Sequence, residues 1–132
     1  MDIAQEKERA LSFLKQLENP DAKSLGEMIT DDFEFEVMGR LPGFGVLRGK
    51  ESFIKQFAQT IKTMFPHGLN IKIHTVIAEG PHVAIQCESD TIASNGKKYA
   101  NRYHFYIRFD GDRIAQVREY NDTNHVREVF MS

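Results

Sequence analysis

The sequence predicts an α+β fold. Its first half carries apolar residues at helical spacing, its second half carries apolar residues that alternate, and the tight-turn pairs Asn95-Gly96 and Asp110-Gly111 divide that second half into adjoining strands. Helices followed by a meander of long, twisted strands give a curved antiparallel sheet closed on its concave side by three helices from the N-terminal half, a cone with an open mouth. A small ligand would bind at such a mouth.

Ile3, Ala10, Leu11, Leu14 and Leu17 make the apolar stripe of a first amphipathic helix, which Asn19-Pro20-Asp21 stops. Asp21 caps a short second helix through Leu25, Met28 and Ile29, and Thr30-Asp31-Asp32 ends it. Phe33, Phe35 and Val37 then alternate with Glu34 and Glu36, the pattern of a strand with two unlike faces. The segment from Gly39 to Gly49 has the glycines and proline of a loop but also Leu41, Phe44, Val46 and Leu47, so it should fold back over an apolar surface. Phe53, Ile54, Phe57, Ala58, Ile61, Met64 and Phe65 form the strongest helical stripe in the chain, ended by Pro66-His67-Gly68. Strands are expected from Leu69 to His74, Val83 to Asp90, Lys98 to Phe109 and Arg113 to Asn121, and a short helix or a strand extension from Asn124 to Phe130.

Composition narrows the function classes. The chain has 132 residues, 41% hydrophobic and 27% charged, which suits one domain spanning residues 1–132 and needing neither metal nor disulfide to hold it. With 17 basic and 19 acidic side chains the net charge is −2, and no basic run makes nucleic acid or an anionic membrane an expected partner. The polar, acidic stretch Met1 to Glu6 lacks the form of a secretory signal, so a cytoplasmic location is expected. The five histidines show no metal-ligand spacing, there is no phosphate-binding glycine loop, and no cofactor or metal is expected. Cys87 reads as a buried, inert thiol.

The candidate chemistry lies on the strands. Ala115, Val117 and Glu119 share a face, so if the small apolar pair points inward, Glu119 does too. Tyr103, Phe105, Ile107 and Phe109 form the apolar face of the long strand, with Asn101 on the same side. Glu88 and Asp90 either approach Glu119 across a polar-floored cavity, where two carboxylates would share protons with one pKa raised, or pair with Lys97, Lys98 or Arg102 at the surface. The opposite face of the long strand, Arg102, His104, Tyr106 and Arg108, is aromatic as well as charged and suits packing against another subunit.

Four segments carry a resemblance: Arg48-Gly49-Lys50-Glu51 opening an apolar helix, Asn101-Arg102-Tyr103-His104-Phe105, Asp110-Gly111, and Arg118-Glu119-Tyr120-Asn121-Asp122-Thr123. In order and spacing the chain resembles the SnoaL-like, ketosteroid-isomerase-related branch of the nuclear-transport-factor-2-like superfamily. The resemblance implies a cystatin-like cone of curved sheet and three helices, paired as a homodimer through the sheet's outer face. It also implies a choice of chemistries. Phe13 stands where a ketosteroid isomerase has a catalytic Tyr, and its general base falls at Glu36 or Val37. The epoxide-hydrolase pattern places Glu119 in an Arg-acid-Tyr stretch and matches Asp90 through Glu88-Ser89-Asp90, which lacks the pattern's Arg. A cyclase of the family relies on one acid in an apolar pocket, a role open to Glu119 or Asp90.

These observations lead to a small apolar molecule held in the cone, with Glu119, Asp90 and Glu36 as candidate proton carriers. Asn101, Tyr103 and Glu88 would orient the ligand, and Phe35, Phe44, Phe57 and Phe105 would supply apolar wall. The competing expectation is a ligand-binding or dimerisation module without chemistry.

Overall fold

The computed structural model describes residues Met1–Ser132. In chain order the elements are α1 (Ile3–Lys15), α2 (Ala22–Met28), β1 (Ile29–Val37), β2 (Gly45–Arg48), α3 (Lys50–Met64), β3 (Lys72–Glu79), β4 (His82–Glu88), β5 (Thr91–Ile92), β6 (Lys98–Tyr99), β7 (Arg102–Asp110), β8 (Arg113–Asn121) and α4 (Thr123–Phe130). Six strands form one sheet in the order β2-β1-β8-β7-β4-β3, and β5 pairs with β6 beside it. All neighbours are antiparallel except β1 and β8, which run parallel. The sheet is therefore mostly rather than wholly antiparallel, because β1 joins the meander at its far edge instead of through a hairpin. No helix is long and apolar enough to cross a membrane.

Local chemistry explains each element. Asp2 and Gln5 form a reciprocal capping box at the start of α1, Asp21 accepts the Ser24 amide at 3.0 Å at the start of α2, and Asp122 accepts the amides of Asn124 and His125 at the start of α4. The chain after Asn121 is thus a fourth helix. The Ala93–Gly96 turn places Gly96 at φ 83, and Asn95 keeps a negative φ, so the hairpin closes through a three-residue loop with glycine in the left-handed position.

Three boundaries depart from expectation, and at two of them a side chain takes backbone hydrogen bonds that a strand would have used. Leu69 to Ile71 stays outside β3 because the Glu18 carboxylate accepts the amides of Asn70 and Ile71 at 2.8 and 2.7 Å. The long strand breaks into β6 and β7 because Asn101 Oδ1 accepts the amides of Arg102 and Asp122 at 2.7 and 3.0 Å. Thr30-Asp31-Asp32 belongs to β1 as a bulged stretch, the register against β8 shifting between Ile29 and Glu34. Bulges there, at β3 and between β7 and β8 bend the sheet. The apolar loop of residues 39–49 contains β2, hydrogen-bonded to β1.

The core lies between the concave face of the sheet and the helices. Phe53 of α3 is its centre, packed on Phe13, Phe33, Phe35 and Phe57 with ring centroids 6.2, 4.8, 5.2 and 4.9 Å away. These rings fill one end of the cone. The other end, toward β2, α4 and the C-terminal ends of β1 and β8, stays open.

Candidate active site

The open end of the cone is a cavity of about 430 Å³ lined by 23 residues, 16 of them hydrophobic. That volume suits a ligand of two or three fused rings. Phe35 and Phe57 form the inner wall, Phe44 and Leu47 the side under the loop, and Val126 and Phe130 of α4 the rim. α4 is held over the mouth by its Asp122 cap and by Asn95 Nδ2 donating to the Val129 carbonyl at 2.7 Å.

Glu119 is the only carboxylate among the lining residues. It reaches the cavity because Val117 and Glu119 share the concave face of β8; a bulge at Ala115 buries both Ile114 and Ala115, so the inward parity is carried by Val117. Its Oε2 accepts one hydrogen bond, from Asn121 Nδ2 at 2.8 Å. Burial among apolar walls pushes its pKa up to about 7, against the lowering effect of that one bond. Such a group loads and unloads a proton near neutrality, which is what general acid or base catalysis requires.

Beside it lie two tyrosines. Tyr103 lines the cavity and donates from its hydroxyl to Tyr99 Oη at 2.9 Å; Asn101 Nδ2 donates to the same Tyr99 oxygen at 3.0 Å. Burial raises Tyr99 to about 12 and Tyr103 well above its ordinary value, so both stay neutral hydrogen-bonding groups.

The remaining candidates fall elsewhere. Asp90 is exposed and faces Lys98 at 3.7 Å, and Glu88 contacts His74 Nε2 at 3.0 Å, so neither approaches Glu119 and no carboxylate pair forms. Glu36 points to the convex face beside Arg118, 3.7 Å away, because parity along β1 turns Val37, not Glu36, toward the cavity. Asn101 is buried at the strand break with its amide spent on Tyr99 and the backbone around Asp122, so it cannot touch a ligand. Phe105 is sealed beneath Tyr103, ring centroids 5.5 Å apart, and lines no part of the cavity. Phe35, Phe44, Phe57, Tyr103 and Glu119 do line it. Cys87 is buried and its thiol is raised to about 12 by desolvation, then by the nearby Glu119.

Four polar lining residues were absent from the expectations: Gln56 and Thr60, one turn apart on α3, and Tyr99 and Asn121 on the strands. Strand parity was the available signal for the latter two: Asn121 continues the Val117, Glu119 series by one step, and Tyr99 continues Tyr103 backward along the chain.

Residues 10–117 match the family model described as a SnoaL-like domain. Among solved structures, the chain is similar to a candidate isomerase from Bacillus subtilis at 21% identity and TM-score 0.84, covering 98% of this chain and 96% of that one. It is similar to a candidate SnoaL-like polyketide cyclase from Jannaschia sp. CCS1 at 16% identity and TM-score 0.82, covering 98% and 93%. An LEH-like epoxide hydrolase from M. tuberculosis is 20% identical with TM-score 0.75, covering 97% and 90%. No curated protein matches the chain at a significant level.

Proposed function

The chain belongs to the SnoaL-like domain family, and from that premise we propose that it binds a small apolar, carbonyl-bearing molecule in its cone and moves a proton on it with Glu119, as an isomerase or cyclase of polyketide-, steroid- or terpenoid-like compounds. The observation that carries this reading is a lone carboxyl group buried in a largely apolar cavity, where desolvation pushes its pKa up to about 7. As a carboxylate, Glu119 takes a proton from the carbon beside the carbonyl, the C–H electron pair becomes the enolate double bond, and the charge moves to the carbonyl oxygen. The protonated Glu119 then returns the proton to the same or a conjugated carbon, or the enolate carbon attacks a second carbonyl in the same molecule, whose C=O π pair moves to its oxygen and takes the proton back from Glu119. Both outcomes need one proton carrier. Epoxide hydrolysis needs an acid for the epoxide oxygen and a base for the water, and with Glu88, Asp90 and Glu36 outside the cavity the second carboxylate is absent; the isomerase or cyclase reading is therefore favoured.

The test needs no natural substrate. Incubated with 2-tetralone in deuterium oxide, the protein should accelerate deuterium uptake at the carbons beside the carbonyl, with a rate rising through a midpoint near pH 7, and Glu119→Gln should abolish the acceleration while ligand binding persists. Binding of the ketone without any acceleration by the wild-type protein would make the fold a ligand-binding module instead.

We also propose that the convex face pairs two copies. Ile77, 62% exposed, lies in register with Ala84, Tyr106 and Arg118, a row crossing four strands whose first three members are apolar or aromatic. Ala84→Arg should convert a dimer seen by sedimentation velocity into a monomer; a wild-type monomer at tens of micromolar ends this part of the reading.

A further inference from the structure

The cavity's polar end has one hydroxyl proton more than it can use. Ser89 Oγ, Tyr103 Oη and Tyr99 Oη stand in a row, with contacts of 3.3 and 2.9 Å, so three hydroxyl protons share two oxygen-to-oxygen contacts. The direction of the row is set from its buried end. Ser89 is 2% exposed and its Oγ already accepts the Asn101 amide at 3.0 Å, so its own proton has only Tyr103 to go to. Tyr103 then donates to Tyr99.

At the other end, the Asn101 amide is not free to turn over. Its Oδ1 accepts two backbone amides, from Arg102 and Asp122, which obliges Nδ2 to be the atom facing Tyr99. Tyr99 Oη therefore receives two hydrogen bonds, and its own proton has no acceptor within the protein. Tyr99 borders the cavity.

We propose that Tyr99 is the hydrogen-bond donor that selects and orients an acceptor oxygen of the ligand, a ketone carbonyl in the ground state and its enolate oxygen once Glu119 has taken the proton. The two incoming bonds polarise the Tyr99 O–H and make it a better donor than an isolated phenol, and a donor fixed before the ligand arrives stabilises developing charge without reorganising. On the opposite wall Gln56 and Thr60 come from α3, and Gln56 Nε2 gives one of its two N–H groups to Ser52. The inference rests on the reading that the cavity takes a carbonyl compound, and goes beyond it in naming which group finds the carbonyl.

The experiment compares 2-tetralone with tetralin, which has the same bicyclic body and no oxygen. Affinities are measured at pH 8.5, where Glu119 is ionised and cannot itself donate. Wild-type protein should prefer the ketone over the hydrocarbon by more than their partition into an apolar solvent predicts, and the carbonyl stretch of bound carbonyl-¹³C-labelled 2-tetralone should lie below its value in hexane. Tyr99→Phe should cut the preference about fivefold, the worth of one neutral hydrogen bond, return the stretch toward the hexane value, and leave tetralin affinity unchanged. Tyr103→Phe should keep the preference, because Tyr99 still receives the Asn101 amide and still has its proton to spare. A ketone preference that survives Tyr99→Phe, or that is lost only in Tyr103→Phe, overturns the proposal. Tetralin binding without any ketone preference in the wild type also overturns it while leaving the apolar cavity reading intact, and failure to bind either compound removes both.

Discussion

Asn121 donates an amide hydrogen to Glu119 Oε2 at 2.8 Å and leaves its own Oδ1 buried without a partner. The bond favours the ionised carboxyl and is the one interaction opposing the desolvation that pushes Glu119 to about 7. Asn121→Leu keeps the side-chain size and removes the donor. The Glu119 pKa should then rise further above 7, read from the pH dependence of its side-chain carboxyl ¹³C resonance, and the midpoint of the deuterium-exchange profile should move with it. A midpoint that stays in place would mean that the asparagine does not tune the acid.

The raised pKa has a cost in stability, with a defined sign. An unfolded Glu ionises near 4.5, so between pH 4.5 and about 7 the folded chain holds a proton that the unfolded chain has released. Stability contributed by protonated Glu119 is complete below pH 4.5, declines as pH rises through 7, and is lost above it, a span of at most about 3 kcal/mol. Glu119→Gln has no such proton to lose. Its stability advantage over the wild type, measured by urea denaturation, should grow from pH 4.5 to 7 and then level off; a difference independent of pH would place the carboxyl in a watery setting.

The aromatic cluster separates folding from binding. Phe53 is wholly buried among four rings and does not line the cavity, whereas Phe57, its neighbour one helical turn on, does. Phe53→Ala should cost about 3–5 kcal/mol by urea denaturation, the sum of lost transfer energy and an enclosed void. Phe57→Ala opens its void into existing space, so it should cost less than Phe53→Ala and shift ligand preference from a bicyclic toward a tricyclic ketone in competition binding. Equal losses from the two would contradict the position of the cavity wall.

What could be read from the sequence, and what could not, divides on range. The stripe from Phe53 to Phe65 and the hairpin around Asp110-Gly111 are set by neighbours a few residues apart, and the periodicity of 3.6 or 2 reveals them. Glu119 was legible for the same reason, since Val117 two positions earlier is a core residue. Glu18 acts on residues 52 and 53 positions away, and Asn101 on Asp122, 21 positions away. No local pattern announces such contacts, yet they decide where β3 starts and where β7 begins. Glu36, Glu88 and Asp90 were candidates because alternation says that two faces exist without saying which one is inside.

Asp122 is where fold and mouth meet, since it caps the helix that carries Val126 and Phe130 over the cavity. Asp122→Ala removes the acceptor for two amides and should cost about 1 kcal/mol. The fraying should be confined to α4, so amide hydrogen exchange should quicken at residues 124–130 and not in α3, and a bound ketone should leave the cavity faster in stopped-flow measurements. Uniform exchange across the chain would mean that α4 is not a separate gate to the cone.

Asn101 holds the strand break and aims the tyrosines, and two substitutions part these roles. Asn101→Ala strands the amides of Arg102 and Asp122 and leaves Tyr99 Oη with the Tyr103 bond alone, and should cost about 2–4 kcal/mol, more than Asp122→Ala. Asn101→Asp restores acceptors for both amides but offers Tyr99 an oxygen in place of an N–H. The spare Tyr99 proton should then turn inward to the new carboxylate, so that much of the stability lost in the alanine variant returns while the preference for 2-tetralone over tetralin falls as far as in Tyr99→Phe. Stability and ketone preference recovering together in Asn101→Asp would show that the direction of the hydroxyl row does not depend on the asparagine amide.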